Sequence, residues 1–302
     1  IIFVIAKVGY SASLIFYDAM LTDITTENRM DTVSSHGYAW GYIGSCIPFG
    51  IGLVLVLGGS SFGLSMPLAM SLTFAMIAIW WVVMSLPLLR RYQQKFYVDH
   101  PSHIFQNSLG RLWNTLKKAQ KNKKILWFLL AFFFYIDGVY TIIDMATAYG
   151  QALGLDSTGL LIALLMTQIV AFPCSITFGR LSKKYDPKQL ITICILAYTG
   201  IAIFALFMST QLHFWILAFI VGMFQGGIQA LSRSYFAKII PNENAGEYFG
   251  IMDICGKGAS FLGTAIISIA SQVTGNINIG VGMLTILFIL GLLFFRKSAK
   301  LA

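Results

Sequence analysis

Charge is scarce in this sequence. Asp, Glu, Lys and Arg together make up 11% of its 302 residues, against about 25% in an ordinary soluble domain. So few charges cannot cover the surface of a water-soluble fold, and that class is excluded. Short alternating apolar and polar runs, the mark of a membrane β-barrel, are also missing. Cysteine is limited to Cys46, Cys174, Cys194 and Cys255, all within apolar stretches and none in a CxxC pair. They read as small core- or lipid-facing residues, and no metal or redox centre is expected. The Gly-rich "GYIGSCIPFGIG" at 41–52 lacks the Lys-Ser/Thr of a phosphate loop and lies inside an apolar block, where close helix packing and bending near Pro48 explain it. With no nucleotide-binding domain, ATP-driven transport within this chain is excluded and no cofactor is expected. There is no HExxH, and no intramembrane Ser-His or paired-Asp constellation, so an enzyme is not expected.

What the chain has is hydrophobicity, 57% of residues, in blocks of about 20, the length that crosses a hydrocarbon core of about 30 Å. Phe, Ile, Leu and Gly fill these blocks, and Gly is common in membrane helices. The reading is an all-α polytopic membrane protein with nine spans, near 1–21, 36–59, 66–89, 124–149, 158–179, 189–209, 212–238, 246–272 and 277–296. Turn-forming stretches such as "LGGSSFG", "GLDSTG", "STQLH" and "TGNIN" separate them.

The basic residues fall on one side. All but two of the 21 Lys and Arg residues lie in or beside one set of alternate loops; the exceptions, Lys7 and Lys257, lie inside spans. Cytoplasmic loops carry the excess of Lys and Arg, so the central loop and the C-terminus are expected in the cytoplasm. The net charge of +9 then reflects asymmetry across a bilayer, not nucleic-acid binding. Residue 1 is Ile and opens inside a span, so the chain is expected to be a fragment.

An internal repeat supports that. "FYDAMLTDITTENRMDTVSSHGYAWGYIGS" at 16–45 aligns weakly with "SYFAKIIPNENAGEYFGIMDICGKGAS" at 234–260. Thr26-Glu27-Asn28 meets Asn242-Glu243-Asn244, and an acid follows in each copy, Asp31 and Glu247. The offset is six spans, which implies twelve in two halves, with the first three missing. The expected organisation is 1–89 as the C-terminal part of the first six-helix half, 90–123 as a basic cytoplasmic linker, and 124–302 as the second half. This is the plan of the major facilitator transporters, whose parallel halves bind substrate near the midplane between them.

Local sequences carry the resemblance further. "FYDAMLTDI" at 16–24, "GYAWGYIGS" at 37–45, "DGVYTI" at 137–142, "GGIQALSRSYFAKIIP" at 226–241 and "EYFGIMDICGKGASFLG" at 247–263 resemble the vacuole-effluxer-like family of the major facilitator superfamily. The resemblance implies a twelve-helix transporter fold, and amino acids as a possible solute through the fungal vacuolar exporter of that name. "GRLSKKYDPKQ" at 179–189 is similar to the superfamily's loop motif, which marks Gly179 and Arg180 as loop or gating residues. Lys183 stands where that motif often carries Asp, so a charge relay there is not implied.

Buried charges point to the working site. A charge near the bilayer centre costs about 2.5–3.5 kcal/mol on insertion scales, so such groups usually face a cavity or a partner. Asp137 lies roughly 20 Å up the fourth span and Asp144 about 10 Å further, near the outer rim. Seven residues apart, they share a face, which is expected to line the central cavity. Asp137 is the first candidate for binding a proton or a substrate amine. Asp253 and Lys257 form an i, i+4 pair with the acid first, the better order, and Lys257 could meet a substrate carboxylate. Lys7 would add a second intramembrane cation. Tyr140, Gln168, Gln225 and Gln229 are polar candidates, with Gln225 and Gln229 one turn apart. Asp18 and Arg233 lie near the cytoplasmic ends of repeat-related spans and read as a gating or loop-anchoring pair. In "SHIFQNSLGRLWNTLKKAQKNKK" at 102–124, Ile104, Phe105, Leu109, Leu112, Trp113 and Leu116 fall at helical spacing, so an amphipathic helix on the inner leaflet is expected. His100 and His103 are too few for a metal site.

The functional expectation is a monomeric secondary transporter in a bacterial plasma membrane. It moves a small solute by alternating access, with protons as the driving force and the bilayer as its other partner. The rival is a sensor or scaffold on a transporter fold.

Overall fold

The computed structural model describes residues 2–96 and 104–301, leaving aside the side chains of residues 3, 104–109 and 258–260. The described residues are helical or irregular, with no strand. His100 and His103 lie outside them, as do the side chains of Ile104, Phe105 and Leu109.

The chain runs through α1 (Ile2–Ala19), the short α2 (Leu21–Ile24), α3 (Met30–Gly58) and α4 (Met66–Arg91). It continues with α5 (Ile104–Lys121), α6 (Lys123–Ala152), α7 (Ser157–Leu181), α8 (Pro187–Ala205), α9 (Gln211–Ile239) and α10 (Ala245–Thr274), and ends with α11 (Ile277–Gly282) and α12 (Thr285–Lys300). Nine stretches of the described residues are long and apolar enough to cross a membrane, and they match the nine expected spans.

Their ends follow local chemistry. The side chains of Asn122, Asp156, Thr210 and Asn276 each accept a backbone N–H in the first turn of the helix that follows, satisfying donors that have no intrahelical partner. Asp186 does the same for α8, with Pro187 at its first position. Gly275 ends α10 at φ 67°, a left-handed turn that glycine adopts without steric cost.

One boundary departs from expectation. The second span starts six residues early, at Met30 after a 3-10 turn at Glu27–Arg29. The polar run Asp31-Thr32-Val33-Ser34-Ser35 looks like loop, but Asp31, Ser34 and Ser35 are buried against α7 and α9. Ser34 Oγ donates to the Ala230 carbonyl at 2.8 Å, Ser175 Oγ to the Ser35 carbonyl at 2.8 Å, and Thr32 Oγ1 to the Gly179 carbonyl at 3.3 Å. Interhelical hydrogen bonds of this kind make small polar residues good helix-packing residues in a membrane. Gly59-Ser60-Ser61-Phe62-Gly63 has the spacing of a hydrolase nucleophile elbow. It forms a 3-10 turn between α3 and α4, not the strand-to-helix turn that such a nucleophile needs.

By chain order the helices fall into a first group, α1–α4, and a second, α6–α12, and α3 and α1 pack mainly on the second. In the second group α6 lies along α10 and α12, and α9 along α7 and α8. An aromatic cluster of Phe128, Tyr135, Phe236 and Phe295 sits at its centre. α3 crosses to α7 and α9, and α1 to α10. α4 packs chiefly on α3, and Ala69 is its one buried residue. The described part of the basic helix α5 packs on the protein. Leu112 and Leu116 pack on the protein core, Thr115 and Ala119 are buried, and α5 lies against α6 and α10. Trp113 remains outside, 58% exposed, beside the Lys117 ammonium.

Candidate functional site

Two ion pairs meet in one pocket. Asp18 comes from the last turn of α1, Arg233 from α9, and Asp253 and Lys257 from consecutive turns of α10; all four border one small pocket of about 40 Å³. Arg233 is 3% exposed. Its Nε lies 3.1 Å from Asp18 Oδ1, its Nη2 donates to the Tyr17 carbonyl at 2.7 Å, and its guanidinium stacks 4.5 Å from the Tyr17 ring centre. Lys257 Nζ lies 2.6 and 2.8 Å from the two Asp253 oxygens and 3.4 Å from the Ser11 carbonyl on α1. Both pairs therefore tie α1 to the second helix group. Tyr38, Tyr140 and Gln229 supply polar groups to the same pocket, and Gln229 Oε1 accepts from Tyr42 OH at 2.9 Å. Two carboxylates, a guanidinium and an ammonium leave it charge-balanced, with both signs available to a guest.

The depth suits a membrane site. Lys257 is twelve residues into α10, about 18 Å along it, while Arg233 lies about 9 Å from the C-terminal end of α9. Burying an unpaired charge is expensive, and pairing with hydrogen bonding is what makes it tolerable.

The expected residues divide by position. Lys257, Asp253, Tyr140 and Gln229 share the pocket, and Asp18 and Arg233, expected at a gate or loop, join them there. Asp137 does not border it. Its carboxyl is fully buried between α6 and α10, where Oδ1 accepts from Thr141 Oγ1 and from the Gly263 backbone N–H, each at 3.2 Å. The face expected to line the cavity is covered because Gly263 lets α10 approach; a Cβ there would lie 2.9 Å from Asp137 Oδ1. Asp144 is exposed on the same helix, and Lys7 is exposed beside the Tyr10 ring. Gln225 is buried with Oε1 unpartnered among the described residues, and Gln168 borders a neighbouring cavity with Tyr38 and Gln229. Gly179 is packed against Ser35 inside the last turn of α7, and Arg180 is exposed.

Below the pocket, further links close the basic-loop side. Asp31 on α3 accepts from Ser234 Oγ and Lys238 Nζ on α9, each at 2.6 Å. Glu247 at the start of α10 pairs with Arg111 on α5 at 2.5 Å and accepts from Thr115. Asp23 on α2 accepts from Tyr92 OH and from the backbone N–H groups of Lys95 and Phe96. Of these acids, Asp31 and Glu247 were visible beforehand only as aligned positions of the repeat. Tyr17 and Tyr38 carried no sequence signal of their own.

Residues 1–298 match the family model described as vacuole effluxer Atg22 like. The chain belongs to this family. The Atg22-like chain is 43% identical to the MFS-type transporter YxiO of Bacillus subtilis over 292 residues, 96% of this chain and 68% of that protein. It is 24% identical to autophagy-related protein 22-1 of Neosartorya fischeri over 297 residues, spanning 89% of this chain and 48% of that protein, so it covers about half the length of that fungal relative. Among solved structures, the major facilitator transporter FucP in its outward conformation superposes with a TM-score of 0.64 at 17% identity, covering 94% of this chain and 72% of that one. The fold of this Atg22-like protein is therefore that of the major facilitator transporters, in an integral multi-pass membrane protein.

Proposed function

We propose that this chain handles the solute of a secondary active transporter. The solute is small and zwitterionic, with amino acids as the leading class, and it moves by alternating access coupled to protons. Residues 1–89 belong to one helical half and 124–302 to the other, joined by the basic linker at 90–123. The basic loops face the cytoplasm of a bacterial cell by the asymmetry of Lys and Arg.

The supporting observation is the pairing of Asp18 with Arg233 and of Asp253 with Lys257 around one pocket at membrane depth. A zwitterion offers a carboxylate to Arg233 or Lys257 and an ammonium to Asp18 or Asp253, so it can replace each protein ion pair with pairs of its own. A neutral sugar or an apolar solute has no charge to exchange for either ion pair, so both pairs would stay closed. Because the pairs join α1 to α9 and α10, a guest that opens them also loosens the contact between the two helix groups. The links of Asp31 and Glu247 lie on the basic-loop side, so this geometry reads as the state closed toward the cytoplasm.

The test is counterflow of radiolabelled amino acids into liposomes carrying the full-length protein. Uptake that vanishes in Lys257→Gln and in Arg233→Gln is the expected result. Specific binding of a protein partner with no solute flux would favour the sensor or scaffold reading.

A further inference from the structure

Asp137 sits apart from the solute pocket, about 21 Å along α6. It is fully buried, and its Oδ2 has no hydrogen-bond partner among the described residues. Charged side chains on the helices packed around it are engaged elsewhere. On α9, Arg233 and Lys238 pair with Asp18 and Asp31; on α10, Lys257 pairs with Asp253 and Glu247 with Arg111. Arg296, Lys297 and Lys300 occupy the far end of α12, and Arg180 the far end of α7. Tyr140, one turn along α6, borders the solute pocket.

The helix that donates the Gly263 N–H to Asp137 also carries Asp253 and Lys257. Gly263 is six residues beyond Lys257, about 9 Å along the axis. Seven residues before it, Gly256 meets Phe132 of α6, where an added Cβ would lie 3.2 Å from the ring. α10 thus rides on α6 through two glycines on one face, with Lys257 just past the first of them and Asp253 about a turn before it.

We infer that Asp137 is a proton-binding site distinct from the solute pocket, and that the Gly263 contact transmits its occupancy along α10 to Asp253 and Lys257. The proton adds to Oδ2, the oxygen with no donor, and Oδ1 keeps its two hydrogen bonds. An ionised carboxylate holds an N–H more strongly than a neutral one, so loading the proton relaxes the grip of α6 on α10 and unloading tightens it. Only the transmission rests on the transport reading; proton binding does not.

Infrared difference spectra of the purified full-length protein across pH test the proton site. The wild type should show a protonated-carboxyl C=O band that titrates. Asp137→Asn should lose it, Asp253→Asn should keep it, and Thr141→Val, which removes a donor but leaves the carboxyl, should shift its frequency. No titrating band in the wild type, or a band that survives in Asp137→Asn, overturns the site. Liposomes loaded with an equimolar mixture of the twenty radiolabelled amino acids test transmission: Asp137→Asn should retain counterflow and lose accumulation driven by a pH gradient. Accumulation equal to wild type, or loss of counterflow in a variant with an unchanged melting temperature, overturns it. If the wild type moves none of the twenty, the substrate reading fails while the spectra still decide the proton site.

Discussion

Tyr17 and Arg233 stand 216 residues apart, the offset that aligns the two polar loops, and they touch: the guanidinium carbon lies 4.5 Å from the phenol ring centre, and Nη2 donates to the Tyr17 carbonyl. Positions equated by a two-fold repeat can meet only beside its axis. On the proposed two-half plan, the contact would lie where the halves join, the position at which parallel-repeat transporters bind substrate.

Arg233→Lys should fail to replace arginine there. Lysine keeps the charge but loses the planar stack and the fork that reaches Asp18 and the carbonyl together. A desolvated cation–π contact is worth about 2 kcal/mol, so transport should fall by at least about tenfold. Initial rates in liposomes check this, and wild-type rates would show that only the charge matters.

Asp253 and Lys257 should behave as a unit in folding and separately in transport. Removing one partner strands the other charge, whereas removing both leaves a neutral pair. Asp253→Asn and Lys257→Gln should each lower the melting temperature, and the double variant should recover most of that loss without regaining transport. A double-mutant cycle on melting temperature and flux measures the coupling; additive losses in stability would count against the pair.

Gly263→Ala should destabilise the protein. The added methyl group meets Asp137 and Thr141 in a closed seam, and overpacking of this kind costs about 1–3 kcal/mol. Gly250→Ala is the control on the same helix, because an added Cβ there meets nothing within 4 Å. Equal melting temperatures for the two variants would show that the seam is loose.

The links on the basic-loop side should rank by burial. Asp31 is buried with two donors, whereas Arg111 beside Glu247 is partly exposed. Partly exposed pairs contribute about 0–1 kcal/mol. Asp31→Asn should therefore lower the melting temperature more than Glu247→Gln, by scanning fluorimetry in detergent. The reverse order would mean that the α5 latch, not the α3–α9 link, holds that side closed.

Nine spans, the gathering of Lys and Arg in alternate loops and the place of each charge along its helix were legible in the sequence. Hydropathy, Lys and Arg placement and helical rise are all properties of a chain read in one dimension. Direction was not legible. Asp137 and Lys257 lie at similar distances along their helices, yet one is sealed in a helix seam, where Gly263 lets α10 close over it, and the other borders the pocket shared with α1 and α9. Asp31, Ser34 and Ser35 looked like loop for the same reason: a polar residue reads as exposed until a second helix brings it a carbonyl or an amine. Which face of a helix meets which neighbour depends on small residues matched across two segments far apart in the chain, and only the packed structure brings those segments together.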